Sequence, residues 1–164
     1  MGMFDLIKLL AEKEIDFVLV GGLAVALQGY QRVTMDVDVV LAMDAANLDR
    51  FISAARGAGL RPTIPVSIDS LGRPELIEQW HREKGMLAFS LRGPEVRATV
   101  LDVLVKPVVP YADLRRDAVM VDMGSSRVAV ASIPHLITMK TGTGRGKDVI
   151  DIDELRKLMP GNAP

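Results

Sequence analysis

Three aspartates interrupt apolar segments of this sequence, and they are its strongest candidates for chemistry. Asp36 and Asp38 flank one valine at the start of an apolar run that ends at Leu41, and Asp102 lies within the run Thr99 to Val105. On a strand, side chains two positions apart leave the same face about 7 Å apart, within reach of one divalent cation or a pair. An ionised carboxylate in a buried strand is costly unless it is paired or bound to a metal. If the two strands are neighbours, the three carboxylates form an oxygen site suited to Mg²⁺ or Mn²⁺.

Each of these features also has a purely structural explanation. Asp36 and Asp38 are equally compatible with a solvated strand end, and Asp102 with an ion pair to an arginine. The pair Gly21-Gly22 follows the apolar strand Ile15 to Val20. This pair fits either a tight turn or a phosphate-binding turn whose backbone amides approach an anion. A metal site requires the three carboxylates to converge, whereas the structural explanation requires them to lie apart or to face salt bridges.

Helical and strand patterns alternate along the chain. The predicted strands are Ile15–Val20, Asp36–Leu41, Met86–Leu91, Thr99–Val105, Val119–Met123 and Arg127–Ala131. The predicted helices are Phe4–Glu14 (with Phe4, Ile7, Leu10 and Ala11 on one apolar face), Leu23–Leu27, the segments capped by Asp44 and Ser132, Pro74–Lys84, Tyr111–Arg116 and Asp148–Met159. This alternation predicts an α/β (α+β) fold in which helices pack against a mixed sheet. We expect one domain over residues 1–159 and a frayed tail over residues 160–164.

Composition narrows the class of protein. Hydrophobic residues make up 49% and charged residues 25% of 164 residues, which excludes a disordered chain. The absence of cysteine excludes disulfides, thiolate metal sites and cysteine nucleophiles, and it fits the cytoplasm. A net charge of −1 gives no global attraction to nucleic acid or to anionic membranes. No apolar run reaches the ~20 residues of a membrane span, and the first ten residues lack the pattern of a signal peptide. We therefore expect a cytoplasmic protein without membrane attachment.

The order of these segments resembles a known superfamily. The sequence FVLVGG is followed by LAVALQGYQRVTMDVDVV, then by VRATVLDVLV and LITMKTGTGRGKDVIDIDEL. A Gly-Gly pair, an Asp-x-Asp strand and a third acid in this order resemble the DNA polymerase β-like nucleotidyltransferases, over about residues 15 to 158. The spacing from Gly22 to Asp36, with Arg32 and Thr34 between them, is similar to that of AbiEii-type and related toxin–antitoxin nucleotidyltransferases. The closing LITMK…GRGKD..D stretch is similar to the same group.

The resemblance implies a metal-dependent enzyme that transfers NMP from an NTP, such as ATP, to a hydroxyl acceptor in a tRNA, a protein or a small molecule. It implies that the catalytic metal ligands for Mg²⁺ or Mn²⁺ are Asp36, Asp38 and Asp102. It also implies that the nucleotide is bound by Gly21, Gly22, Thr34, Lys140 and Arg145.

Other interpretations stay open for the residues outside the acidic set. Lys140 and Arg145 are otherwise a solvated helix end, and Thr34 otherwise satisfies the backbone of its loop. Asp148 and Asp151 are expected to support the site or to match charge at a helix N-terminus. The resemblance further implies a toxin-like component with an antitoxin partner, and the high mean hydropathy leaves room for a homodimer surface. The alternative function is a catalytically silent module that binds nucleotide or a partner on the same fold.

Overall fold

Seven strands form one mixed sheet in the computed structural model, which describes residues 1–161. In order across the sheet they are β3 (Arg61–Pro62), β4 (Ala88–Arg92), β5 (Val100–Leu104), β2 (Val37–Leu41), β1 (Phe17–Val20), β7 (Arg127–Val130) and β6 (Val119–Asp122). Strand β2 runs parallel to β5, and β1 runs parallel to β7. The other neighbours are antiparallel. The mixed sheet predicted from the alternation of patterns is therefore confirmed.

Seven α-helices lie before, between or after these strands within residues 1–161. They are α1 (Met3–Glu12), α2 (Gly21–Gln28), α3 (Ala45–Gly57), α4 (Pro74–Lys84), α5 (Tyr111–Arg116), α6 (Ile133–Lys140) and α7 (Gly146–Lys157), with a 3-10 helix at Ile68–Gly72. Helix α2 contacts β1, β2, α6 and α7. It therefore connects the centre of the sheet to the C-terminal helices. Within residues 1–161, no helix combines the length and the apolar character needed to cross a membrane.

Several helix ends form where the sequence predicts them. The side chain of Asp44 accepts a hydrogen bond from the backbone N–H of Asn47 at the start of α3. Ser132 caps α6 in the same way through the N–H of His135. Pro74 occupies the first turn of α4, where its missing N–H costs nothing.

Other boundaries differ from the prediction. Strand β2 begins at Val37, so Asp36 precedes the strand and is exposed. Helix α2 begins at Gly21 instead of Leu23, because the chain passes from β1 directly into the helix. The face predicted for the first helix is wrong at Phe4, which is 64% exposed. The prediction holds at Ile7 and Leu10, which the helix buries together with Leu6.

Burial alternates along β4 and β5 and leaves one face of this half of the sheet open. Phe89, Leu91, Leu101 and Val103 are buried, whereas the residues between them are only half-buried. In contrast, every residue of β1 is buried. Asp102 therefore lies on the open face, beside the fully packed centre of the sheet. The frayed tail predicted for residues 160–164 falls partly on residues 162–164, which lie outside the described residues.

Candidate active site

Strand register brings two of the predicted acidic residues face to face. Asp38 of β2 is the direct partner of Asp102 in the parallel pair with β5. Both side chains are half-buried, and Asp36 stands exposed two residues before Asp38. On the other side of Asp102, Ser90 of β4 donates a hydrogen bond from its Oγ to Oδ1 of Asp102. One rung of the sheet thus presents Asp38, Asp102 and Ser90 side by side.

The acidic residues at this rung repel one another. Burial, together with the smaller effects of the Asp102 and Asp36 charges, raises the pKa of Asp38 from 3.8 to about 6. Lys140 and Arg145 act in the opposite direction but do not cancel these effects. Within residues 1–161, Asp36, Asp38 and Asp102 form no salt bridge. The carboxylates therefore carry negative charge that no neighbouring side chain neutralises.

The glycine pair brings the start of α2 against these acids. Gly21 has φ +68°, and a Cβ there would lie 2.6 Å from Cγ of Asp38. A Cβ on Gly22 would lie 2.9 Å from Oγ1 of Thr34. Glycine is therefore required at Gly21 by both its conformation and its neighbour. The first N–H groups of a helix have no intrahelical partner, so α2 presents hydrogen-bond donors beside the carboxylates.

The predicted cations belong to a buried ion-pair network. Nζ of Lys140, whose residue is 8% exposed, lies 3.2 Å from Oδ1 of Asp148 and 3.0 Å from Oδ2 of Asp151. Nε of Arg145 lies 2.7 Å from Oδ2 of Asp148, and Arg32 pairs with Asp151. Asp148 and Asp151 are 1% and 2% exposed. Lys140 is therefore held in place from two sides, and it is not a solvated helix end.

Hydrogen bonds keep Asp148 ionised in this network. Burial raises its pKa, but hydrogen bonds from Thr143, Lys140 and Arg145 outweigh burial, so the pKa of Asp148 lies below its usual value. The distances are 2.6 Å from Oγ1 of Thr143 and 3.2 Å from Nζ of Lys140. Helix N-terminal charge matching therefore does not account for Asp148, since its carboxylate is committed to side chains.

One cavity of about 580 Å³ gathers all of the predicted site residues. Its predicted members are Gly21, Gly22, Thr34, Asp36, Asp38, Asp102, Lys140 and Arg145. The acids lie on the sheet and the cations on the C-terminal helices, with the start of α2 among the lining segments. Apolar side chains complete the wall, and these are Leu87, Ala88, Leu104, Leu136 and Met139.

Sequence reasoning missed three residues beside this cavity. Arg32 lines it with Thr34 and Asp36, while the residues between them point outward and are exposed. This two-residue alternation was the available signal for Arg32. Lys147 also lines the cavity and, within residues 1–161, forms no salt bridge. Ser90 had no signal in the sequence, because its role depends on the register of β4 against β5.

Some of the carboxylate oxygens that line the cavity are suited to bind a divalent cation. Within residues 1–161, no group of three or more His, Cys, Asp or Glu side chains is arranged to hold a metal ion. Asp38 and Asp102 nevertheless offer facing carboxylate oxygens that no protein cation neutralises. Mg²⁺ is commonly bound by one or two carboxylates together with phosphate oxygens of a substrate. The residues present fit that kind of shared site better than a closed protein cage.

Comparison with solved structures places this geometry in a known fold. No protein-family model matches the sequence, and no curated protein matches it either. The lincosamide antibiotic adenylyltransferase LnuA, in a lincomycin-bound crystal structure, is similar with a TM-score of 0.63 at 16% identity, over 95% of both chains. An antigenic nucleotidyltransferase-like protein from Paracoccidioides brasiliensis is similar with a TM-score of 0.58 at 23% identity, over 98% of this chain and 76% of that one. The mixed sheet and its helices therefore form the nucleotidyltransferase fold.

Proposed function

We propose that the chain is a metal-dependent nucleotidyltransferase, which transfers NMP from an NTP to a hydroxyl acceptor. The observation that carries this proposal is the single cavity in which unpaired carboxylates face a set of cations, with the start of α2 on the same cavity wall. The triphosphate of an NTP is complementary to this cavity, because its negative charge needs the cations and the free N–H donors. The nucleotidyltransferase fold supports the same reaction class.

Nucleotide binding is assigned to the cationic and glycine-containing walls of the cavity. Helix N-termini favour anions, so the N–H groups at Gly21 and Gly22 are suited to phosphate oxygens. Lys140 and Arg145 share their charge with Asp148 and Asp151, which fixes their positions. Lys147 is free of such partners within residues 1–161 and adds an uncompensated positive charge. Together these groups hold the triphosphate and orient its α-phosphate toward the strand acids.

The carboxylates are assigned to the reacting end of the cavity. Asp38 and Asp102 would hold Mg²⁺ or Mn²⁺ together with phosphate oxygens, with the exposed Asp36 as the third predicted ligand. The bound metal would neutralise the phosphates and favour ionisation of the attacking hydroxyl. The acceptor oxygen forms a bond to the α-phosphorus as the bond to pyrophosphate breaks. Oδ1 of Asp102 accepts a hydrogen bond from Ser90, so Oδ2 is the oxygen left to receive the proton of the hydroxyl. Pyrophosphate leaves with the charge of the broken bond.

The acceptor class is the less constrained part of the proposal. A tRNA end, a protein hydroxyl and a small molecule each supply a suitable nucleophile. LnuA is an adenylyltransferase of lincosamide antibiotics, and its similarity over 95% of both chains favours the small molecule. A toxin-like role, with an antitoxin partner or a homodimer, has only the AbiEii-like sequence pattern in its support.

Calorimetric titration of the four NTPs with Mg²⁺ tests the proposal directly. Wild type is expected to bind at least one NTP only when Mg²⁺ is present, and Asp36→Ala/Asp38→Ala is expected to lose this binding. The matched control is Asp49→Ala/Asp153→Ala, because both aspartates are exposed and make no hydrogen bond or salt bridge within residues 1–161. Folded wild type that binds no NTP would contradict the proposal.

The alternative function is a nucleotide- or partner-binding module without turnover. Such a module would also bind NTP in the titration, but it would not transfer NMP to an acceptor. Label from an α-phosphate-labelled NTP should move to an acceptor fraction of a cell extract if the chain is an enzyme. Binding without transfer to RNA, protein or small-molecule fractions would favour the silent module.

A further inference from the structure

The open face of the sheet continues beyond the cavity in the direction of the edge strands. Three rungs lie side by side on this face, and the register of β4 with β5 defines them. The first pairs Leu104 with Ala88, the second pairs Asp102 with Ser90, and the third pairs Val100 with Arg92. The edge strand β3 adds Arg61 directly opposite Arg92. Two arginines therefore stand one rung beyond Asp102, on the same face of the sheet.

These two guanidinium groups have no partner of opposite charge. Both residues are exposed, and within residues 1–161 neither Arg61 nor Arg92 forms a salt bridge or a side-chain hydrogen bond. The nearest acid in sequence, Glu95, is paired with the amino group of Met1 at 3.1 Å. Like charges directly opposite each other on neighbouring strands destabilise a sheet. A negative group bound between the two side chains would relieve this repulsion.

The position of Arg61 and Arg92 relative to Asp102 indicates which molecule would supply this negative group. Neither arginine lines the cavity assigned to the NTP, so the pair is separate from the triphosphate. Two residues along a strand span about 7 Å, which is the separation of the arginine rung from the Asp102 rung along the sheet. A hydroxyl beside Asp102 and an anionic group on the arginines would therefore belong to one acceptor of modest size.

We propose that the acceptor carries an oxyanion, a phosphate or a carboxylate, that Arg61 and Arg92 bind while its hydroxyl lies at Asp102. This inference rests on the proposed function for its reaction, but the anion site stands on its own geometry. Paired guanidinium groups are well suited to oxyanions, because each offers several N–H donors in one plane. Half-buried Val100, which lies opposite Arg92 on the same face, provides apolar contact for the body of the acceptor.

An edge strand can also carry charge only to prevent pairing with another chain. That explanation requires no ligand, and a binding experiment separates the two. The test is an NMR titration of the arginine side-chain Nε–Hε signals with inorganic phosphate and, separately, with acetate. The signals are assigned from Arg61→Gln and Arg92→Gln.

Phosphate or acetate is expected to shift both signals, and the affinity is expected to fall about tenfold or more in Arg61→Gln/Arg92→Gln. The control is Arg56→Gln/Arg82→Gln, which removes the same charge from exposed positions of α3 and α4. A shift by phosphate alone identifies a phosphorylated acceptor, and a shift by acetate identifies a carboxylate. No shift with either ion, or equal affinity in the two double variants, would overturn the anion site.

Repeating the titration with an NTP and Mg²⁺ present assigns the site to the acceptor. The shifts of Arg61 and Arg92 are expected to persist, since the acceptor and the nucleotide must be bound together. Displacement of phosphate from the pair by the NTP would overturn the assignment to the acceptor. If wild type fails to bind NTP while phosphate still shifts both signals, the proposed transferase function fails and the anion site remains.

Discussion

Two groups of aspartates surround one cavity, and their environments are opposite. The strand acids, Asp36, Asp38 and Asp102, have no cationic partner within residues 1–161, and burial and mutual repulsion raise the pKa of Asp38 to about 6. The helix acids, Asp148 and Asp151, are almost fully buried and are paired with cations on several sides. The same residue type thus occurs with its charge neutralised and with its charge left uncompensated.

This difference distinguishes aspartates expected to stabilise the fold from aspartates expected to act in the reaction. Removing a carboxylate from a buried ion pair leaves a buried cation unpaired, which is expensive. Removing a carboxylate from an unneutralised group relieves repulsion instead. The helix acids should therefore matter to the fold and the strand acids to the reaction. Variants of the strand acids should lose activity and keep or gain stability. Variants of the helix acids should lose stability.

The largest effect is expected for the reaction in Asp102→Asn. In the proposed mechanism, loss of this carboxylate removes a metal ligand and the proton acceptor, so transfer of label from an α-labelled NTP should fall at least about a hundredfold. The circular dichroism spectrum and the thermal midpoint should match wild type or exceed it. Asp49→Asn serves as the control. An unfolded Asp102→Asn protein would show that this aspartate stabilises the fold, as Asp148 and Asp151 are expected to do.

The next largest effect is expected for stability in Asp151→Ala. This change leaves Arg32 without its ion pair and Lys140 with Asp148 alone. Loss of one partner of a buried pair costs about 3 kcal/mol or more, and urea denaturation should show a decrease of this size. Asp153→Ala, exposed and two positions further along α7, should change stability by less than about 0.5 kcal/mol. Equal losses in the two variants would contradict the structural role of the helix acids.

The two groups also differ in how far the sequence predicts them. The strand acids follow from local information, because an acid within an apolar strand is unusual on its own. Their closeness required only that β2 and β5 be neighbours, as the register of Asp38 against Asp102 shows they are. The position of Asp36 before the strand was not predictable, since alternation alone continues the strand through it.

The helix acids depend on contacts that the sequence does not reveal. The spacing of Asp148 and Asp151 places them on one helix face, but a polar helix face normally points to solvent. Here that face turns inward because Arg32, more than a hundred positions earlier, reaches across to it. The same limit applies to Ser90 and to the pair of arginines on the edge strands, which register alone brings into place.

A smaller effect with the opposite sign is expected for stability in Asp38→Asn without metal. The raised pKa means that the folded state binds the proton of Asp38 more tightly than the unfolded chain does. In the unfolded chain the pKa of Asp38 is near 3.8. The folded state is therefore penalised increasingly from about pH 4 to about pH 6 and by a constant amount above that. Asp38→Asn should stabilise the protein by up to about 3 kcal/mol at pH 8 in EDTA and by almost nothing at pH 3.5. Asp49→Asn serves as the control, because Asp49 is exposed and forms no salt bridge or side-chain hydrogen bond within residues 1–161. A loss of stability in Asp38→Asn at pH 8 would contradict the repulsion.

The smallest effect is expected in Ser90→Ala, where a positioning contact is lost and no charge changes. The hydroxyl of Ser90 fixes Oδ1 of Asp102, so its loss lets the carboxylate rotate away from the acceptor hydroxyl. A single hydrogen bond to a charged group is worth about 1.5 kcal/mol, which corresponds to roughly a tenfold decrease in kcat. The KM for the NTP should stay unchanged, because Ser90 does not line the cavity to which we assign the nucleotide. Ser90→Thr retains the hydroxyl and should recover most of the rate. A rise in KM without a fall in kcat would mean that Ser90 contributes to binding, and that the orientation of Asp102 is set by the metal alone.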